Sequence, residues 1–319
     1  MRYGLPYKGS KNSIAEWIIR QLPYADTFVD LFFGGGAVTH AALLSGKYEH
    51  FIINDIDARL PKLFLECAYG KHTVESHPEW ISREDFHRLK DSDAYVALVW
   101  SFGSNGLDYI YGADIEQFKH DYHKAVFLDD TSLLEPYGYK ITSTHQKAVY
   151  DRYLEFNRQI KEIARSDLDS ITRQIGIERL QSLQSLQSLQ SLQSLQSYGT
   201  SYENVPIPPN SLIYCDIPYV DTNCGKYDGF KHDLFYEWAL HQDNIFISEY
   251  SMPSNFIEIA NTEKVVLSAA NGNSNTATER LYTNRRTYDR MTDHQKAVIA
   301  SNFAVQISLF DYAFNPYQD

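Results

Sequence analysis

Cysteine is scarce in this 319-residue chain, which has Cys67, Cys215 and Cys224 and no others. Three so scattered are too few for a disulfide framework or a zinc cage. Long apolar runs are missing as well, for none approaches the roughly 18 residues that a membrane span needs. The opening MRYGLPYKGSKNS carries early basic residues with no apolar stretch behind them, so no secretory leader is expected. Positive charge is short too: 29 Lys and Arg stand against 41 Asp and Glu, a net −12. That balance disfavours indiscriminate binding to polyanions unless the basic residues gather on one face. The rest is ordinary, with 43% hydrophobic and 22% charged residues, which excludes wholesale disorder. The composition reads as intracellular and soluble, and the length as about two folded units.

Chemistry by cysteine or metal finds little support. Cys215 and Cys224 have no basic partner that the sequence identifies. His120 and His123 have a spacing that suits one helix face, but no further ligands gather near them, so no metal is expected.

Strand and helix patterns are clearer. Residues 28–57 read FVDLFFGGGAVTHAALLSGKYEHFIINDID: an apolar run, three glycines, a small-residue helix, and a second apolar run ending in acids. This is a β-turn-α-β unit, the opening of a doubly wound α/β sheet. Further strands are expected at Ser211–Asp216, Asn244–Tyr250 and Lys264–Ser268, with a late hairpin continuing through Arg280–Arg286. Between them, residues 71–204 are charged, aromatic and helix-prone, which reads as an inserted, mostly helical domain. The sheet domain then comprises residues 1–70 and 205–319.

Near the end of the insert, Leu-Gln-Ser repeats six times without error over residues 180–197. In an α-helix a three-residue repeat advances about 300° per unit, so the leucines wind slowly around the axis. Leu and Gln favour a helix. The tract is expected to lengthen the preceding helix as a neutral extension or spacer rather than to recognise anything.

Three motifs carry chemistry. In Asp30-Leu31-Phe32-Phe33-Gly34-Gly35-Gly36, the glycines either admit a ligand to the backbone or serve a tight strand-to-helix turn. The spacing fits neither a nicotinamide fingerprint nor a P-loop. Asp55, closing the second strand, is placed to accept hydrogen bonds from ribose hydroxyls, and together these features point to a nucleoside-containing cofactor. The second motif, Tyr214-Cys215-Asp216-Ile217-Pro218-Tyr219, also ends a strand. Its acid can hold an amino group and Tyr219 can stack on a planar ring, or the segment is a plain strand exit with Tyr219 in the core. The third, Tyr7-Lys8-Gly9-Ser10-Lys11, is a basic turn at a helix start.

Taken in order, Tyr-x-Gly-Ser-Lys, FVDLFFGGGAV, Asn-Asp-Ile-Asp, FGSNGL and Asp-x-Pro-Tyr resemble the Dam-type DNA adenine-N6 methyltransferases. The resemblance implies a Rossmann-like methyltransferase sheet that uses S-adenosylmethionine, with a target-recognition domain inserted before the catalytic motif. Carried over by residue, it puts Tyr7, Lys11, Asp30, Phe32, Gly34, Gly36 and Asp55 at the cofactor. It makes Asp216, the Ile217 carbonyl, Pro218 and Tyr219 the holders of a flipped adenine. Asn105 and Leu107 would enter double-stranded DNA, and a bacterial or phage cytoplasm would be the setting. Cytosine-N4 methylation, or a catalytically silent DNA-binding protein of the same fold, are the alternatives.

Two departures from the family pattern stand out. Ile217 replaces the first proline of Asp-Pro-Pro-Tyr, which keeps the carbonyl and loses some stiffness. The loop WSFGSNGLDYIYG has Trp100, Ser101 and Tyr109 where the family commonly has Asn, Arg and a basic residue, so a GATC target is not implied. Lys8, Lys11, Arg280, Arg285, Arg286 and Arg290 are expected to flank the catalytic rim as a phosphate-facing strip, with steeply salt-dependent binding.

Overall fold

A computed structural model describes residues 3–144, 147–164, 173–189, 194–220, 229–267 and 274–300; Cys224 lies outside them. The chain divides into two compact units. One comprises Met1–Ser10, Gly34–Ala37 and Arg59–Gln190, the other Lys11–Phe33, Val38–Ala58 and Ser191–Asp319.

The second unit is built on a seven-stranded sheet of order β3-β2-β1-β4-β5-β7-β6. Its strands are β1 (Thr27–Asp30), β2 (His50–Asn54), β3 (Leu195–Tyr198), β4 (Ser211–Asp216), β5 (Ile245–Glu249), β6 (Phe256–Leu267) and β7 (Ser274–Asn284). The first five in chain order are mutually parallel, and β7 joins β5 antiparallel and hairpins with β6. Every residue of β1 and β5 is buried, which matches their nearly unbroken apolar runs, since a parallel sheet is covered on both faces. From β1 the chain steps to β2 on one side, and β4 lies on the other. This is a topological switch point, and in open α/β sheets ligands bind outside the carboxyl ends of the strands at such a point. Asp30 and Asp216 end the two strands that flank it.

Asn54 braces this end of the sheet. Its Nδ2 donates to the carbonyls of Leu31 and Thr200 at 3.0 Å each, and its Oδ1 accepts from Thr200 N at 3.1 Å. Just before Thr200, a Cβ on Gly199 would come within 2.2 Å of the Ala58 Cβ. The register of β3 is therefore set by residues beyond the repeat.

The other unit carries the helices Arg59–Ala68, Arg83–Leu89, Ala94–Val99, Glu116–Leu128, Val149–Ala164 and Ile175–Gln184. Here the expectation of a neutral helical spacer is overturned. Leu180, Leu183 and Leu186 are fully buried and Leu189 is 7% exposed, packed against the helices Arg59–Ala68 and Ala94–Val99. The helix Ile175–Gln184 tightens into a 3₁₀ turn over Ser185–Ser188. With three residues per turn, that geometry lines up a three-residue repeat instead of letting it drift. The last unit of the tract leaves the helical form altogether: Leu195–Tyr198 is the edge strand paired with β2. The repeat thus ends inside the sheet, which the assignment of residues 71–204 to a helical insert did not anticipate.

The burial of these leucines makes Leu183→Ala or Leu186→Ala cost about 2–5 kcal/mol in urea unfolding, as for other leucines removed from a core. A spacer would give no measurable loss.

Candidate active site

The carboxyl ends of the parallel strands gather acids. Asp30 ends β1, Asp55 follows β2, Asp216 ends β4 and Glu249 ends β5. Glu279 joins them because β7 runs antiparallel, which sets Arg280 opposite Glu249 and Glu279 next to it. Asp30, Asp55, Glu249 and Glu279 are all buried.

One buried cation answers this charge. Lys11 Nζ is 2.9 Å from Asp216 Oδ1 and 3.7 Å from Glu279 Oε1. It also lies 4.4 Å from the centroid of the Tyr219 ring, in a cation–π contact. Burial alone would lower the Lys11 pKa, but the carboxylates of Asp216 and Glu279 more than offset it and the net shift is upward. Lys11 therefore stays an ammonium. The Tyr219 hydroxyl donates to Glu279 Oε2 at 2.6 Å. Burial and the neighbouring acids push its pKa well up, which keeps the phenol neutral and a donor.

The chain around Asp216 is held firmly. The Ile217 side chain is 2% exposed and packs in the cluster of Leu31, Cys215, Phe235 and Ile247, so burial supplies stiffness that a proline ring would otherwise give. His232 Nε2 donates to the Pro218 carbonyl at 2.6 Å. Glu249 takes the amides of Tyr250 and Val220 at 2.7 and 3.2 Å, which ties the loop beyond Tyr219 to the end of β5.

Asp30 is hydrogen-bonded by Thr39 Oγ1 at 2.6 Å through Oδ2 and is also near the Phe32 amide, while its buried Oδ1 has no partner within hydrogen-bond distance among the described residues. Burial, then the charges of Asp216 and Asp55, raise its pKa to about 7 against the pull of Thr39. Glu249 is likewise raised to about 7, chiefly by burial. Phe32 meets Tyr202, Phe230 and Phe235 with ring centroids 5.5–5.6 Å apart. Asp55 Oδ1 accepts from Asp57 N at 2.9 Å, and the neighbouring Ile56 is 62% exposed.

Tyr7, Lys8, Gly34, Gly36, Asn105 and Leu107 belong to the other unit. There the glycine turn first receives the chain itself. Leu5 N donates to Gly35 O at 2.7 Å, and a Cβ on Gly35 would stand 2.7 Å from the Tyr7 Cβ. The Tyr7 ring lies beside Gly34, whose φ is +50°. Lys8 is exposed, and its amide donates to the Ser104 carbonyl at 3.3 Å, which joins it to the loop 102–107.

That loop is a tight hairpin closed by a Ser101–Tyr109 bridge. Asn105 spends its side chain on the turn: Oδ1 accepts from the amides of Leu107 and Asp108, and Nδ2 donates to Asp108. Phe102 and Leu107 are the large apolar side chains left outside, 57% and 51% exposed. Trp100 is buried, and Arg179 Nη1 caps the carbonyls of Leu98, Val99 and Ser101 beneath the hairpin. The Arg83 guanidinium lies 4.7 Å from the Tyr109 ring centroid, although Glu116 pairs with it.

The expected arginine strip is corrected. Phe246 pairs with Thr283 at the amino end of β5, so Arg285, Arg286 and Arg290 follow β7 out at the edge opposite the acids. Arg286 and Arg290 are ion-paired with Asp243 there. Of the arginines proposed for the strip, only Arg280 reaches the acidic end, bonded to the Tyr250 carbonyl at 2.7 Å. Sequence reasoning also missed Glu249, Glu279 and His232. Glu249 left one signal, an acid closing an apolar strand as Asp30 and Asp216 do; Glu279 sits in a polar run that marks nothing.

Residues 7–262, well over half of the chain, match the family described as D12 class N6 adenine-specific DNA methyltransferase. No curated protein matches the chain.

Two outcomes follow from this geometry. Asp30 and Glu249 hold protons in the folded state up to about pH 7, whereas unfolded carboxylates release them near pH 4. The folded state binds more protons in that window, so these groups make stability fall as pH rises through it. Urea melts near pH 5 and pH 8 should show the decline, and Asp30→Asn should reduce it and be the more stable form near pH 8. Arg285→Ala should leave affinity for duplex DNA unchanged within about twofold at fixed salt, by fluorescence anisotropy, since its place lies away from the acidic end.

Proposed function

Since the chain belongs to the D12 class N6 adenine-specific DNA methyltransferase family, we propose that Asp216, the Ile217 carbonyl and Tyr219 hold the flipped adenine. The protein is an enzyme that methylates adenine N6 in DNA, and the cytosine-N4 and silent-binder alternatives fall away. Methyltransferases of this kind in general use S-adenosylmethionine. The observation that carries the site assignment is the position of the Lys11 ammonium. An N–H donor bonded to Asp216 Oδ1 at 2.9 Å and stacked over the Tyr219 ring at 4.4 Å marks where an amino group on a planar ring is welcome.

The chemistry needs those acceptors. The adenine amino nitrogen is a poor nucleophile because its lone pair is delocalised into the ring. The Asp216 carboxylate and the Ile217 carbonyl, accepting its two hydrogens, draw it towards tetrahedral geometry and free the lone pair along one line of attack. Catalysis is then positioning and electrostatics, without a covalent enzyme intermediate. The buried Ile217 side chain and the His232–Pro218 hydrogen bond keep these acceptors from drifting. Asp216 is also a base that can receive the proton that the amino group sheds. Flipping exposes both faces of the base, and Tyr219 covers one of them.

The cofactor fits the acids that remain. S-adenosylmethionine supplies an electrophilic methyl on a sulfonium, and it carries an ammonium besides. Asp30, with a buried oxygen lacking a close partner and a pKa raised to about 7 by burial, is a carboxyl that a cationic group would satisfy. Asp55 suits the ribose hydroxyls, and exposed Ile56 offers apolar surface for the adenosine ring. Phe32 would line the same end of the sheet beside Asp30. The unit containing residues 59–190 would then read the target, with Phe102, Leu107 and Lys8 meeting double-stranded DNA rather than Asn105, whose amide is already engaged. A cytoplasmic setting goes with that substrate.

Asp216→Ala should still bind S-adenosylmethionine by calorimetry. It should lose about 10²-fold or more in turnover, the usual scale for removing one preorganised electrostatic contact. The check is labelled cofactor with unmethylated genomic DNA, followed by nucleoside mass spectrometry; undiminished N6-methyladenine would remove Asp216 from its role.

A further inference from the structure

Lys11 and Glu279 are buried, oppositely charged and close to the adenine acceptor, yet the chemistry of methyl transfer gives neither a step. Lys11 is 5% exposed and Glu279 2%, so stranding either charge without a partner would be costly. A group that bonds Asp216 and covers the face of Tyr219 fills the volume that adenine must enter to make the same two contacts. The ammonium and the base cannot both have it. When the base enters, the ammonium needs another carboxylate within reach.

Glu279 meets that need. Its Oε1 is 3.7 Å from Lys11 Nζ, so a shift of about an ångström completes a hydrogen-bonded pair. Its other oxygen is held by the Tyr219 hydroxyl at 2.6 Å, which keeps Oε1 turned towards the lysine. Glu249, the other acid near Lys11, has both oxygens engaged by the amides of Tyr250 and Val220. A lysine suits such a transfer, being a compact charge on a flexible stem.

We infer that Lys11 is a positioning residue that occupies Asp216 between turnovers, and that Glu279 receives its ammonium as adenine arrives. This rests on Asp216 and Tyr219 being the adenine site. The exchange keeps the buried ammonium paired throughout, and it keeps Asp216 ionised until the amino group replaces the lysine. Because Glu279 also holds the Tyr219 hydroxyl, the acid that takes the lysine is the one that fixes the stacking ring.

The test is a double-mutant cycle on the full chain, with kcat, KM for DNA and base flipping as readouts. Flipping is followed by the fluorescence of 2-aminopurine at the adenine that the wild-type enzyme is found to methylate. Glu279→Gln keeps an acceptor for the tyrosine hydroxyl but removes the charge that draws the lysine away. It should raise KM for DNA about fivefold or more and lower the flipping amplitude, with kcat at saturation within about twofold. In a Lys11→Met background there is no ammonium to transfer, so the same change should cost less than about twofold. Equal effects in the two backgrounds, or a fall in kcat with KM unchanged, would overturn the exchange. S-adenosylmethionine binding by calorimetry verifies folding of each variant, and Lys11→Gln takes the place of Lys11→Met if the latter fails it. Asp216→Ala separates the two levels. If it still methylates, the adenine site itself is misassigned; if it is inactive and the cycle is additive, only the exchange fails.

Discussion

The acidic end of the sheet depends on one buried ammonium. Asp30, Asp55, Asp216, Glu249 and Glu279 converge there, and Lys11 is the ammonium that pairs with both Asp216 and Glu279. Desolvation argues against burying any of these charges, so each carboxylate that persists has a compensating contact or a raised pKa. Glu249 has two backbone amides, and Asp216 and Glu279 share the lysine. Asp30 has a threonine hydroxyl, and both it and Glu249 are left with a proton affinity near neutrality. Under the proposed assignment, the paired acids would form a preorganised acceptor and Asp30 would be a place for a positive ligand.

Much of this was legible in the sequence because parallel strands end in a recognisable way. An apolar run closed by Asp30, another by Asn54 and Asp55, and a third by Asp216 put three acids on one rim once the β-turn-α-β unit was identified. The glycine turn was legible as a turn, but not its main occupant. The N-terminal segment presses on Gly35 so closely that a Cβ there would stand 2.7 Å from Tyr7, a tertiary contact that no local pattern encodes. Glu279 was hidden for a related reason. It reaches the rim only because β7 runs antiparallel, and strand direction is not written in a run such as SNTATERLYTN. The same reversal sends Arg285 and Arg286 to the far edge, so the error over the arginines and the omission of Glu279 share one cause.

The Leu-Gln-Ser tract shows how little a repeat decides about its own conformation. Identical tripeptides form an α-helix, a 3₁₀ turn and an edge strand within eighteen residues. Intrinsic preference cannot distinguish them, so the flanks do. Arg179, bound to three carbonyls, anchors the helical end. Gly199 against Ala58, and Thr200 on Asn54, anchor the strand end. Periodicity matters only where packing selects it: Leu180 and Leu183 on the α-helix and Leu186 in the 3₁₀ turn are all fully buried.

A net charge of −12 need not oppose a DNA substrate if, as proposed, DNA is met by the hairpin at residues 102–107 and Lys8 and not by the acids. The hairpin at residues 102–107 presents Phe102 and Leu107, with Lys8 hydrogen-bonded to its backbone through the Ser104 carbonyl. Apolar side chains wedged into a base stack gain their energy from contact and from the gap left by an extruded base, not from counterion release. The asparagine tied into the turn and the helix capped by Arg179 stiffen this hairpin, as the proposed wedging would require. Under the proposed assignment the acids would do work that needs them, since a sulfonium donor is cationic and the adenine amino group requires acceptors. In such an enzyme the distribution of charge matters more than its sum, and here five of the 41 acids gather at one end of the sheet while the rest lie elsewhere in the chain.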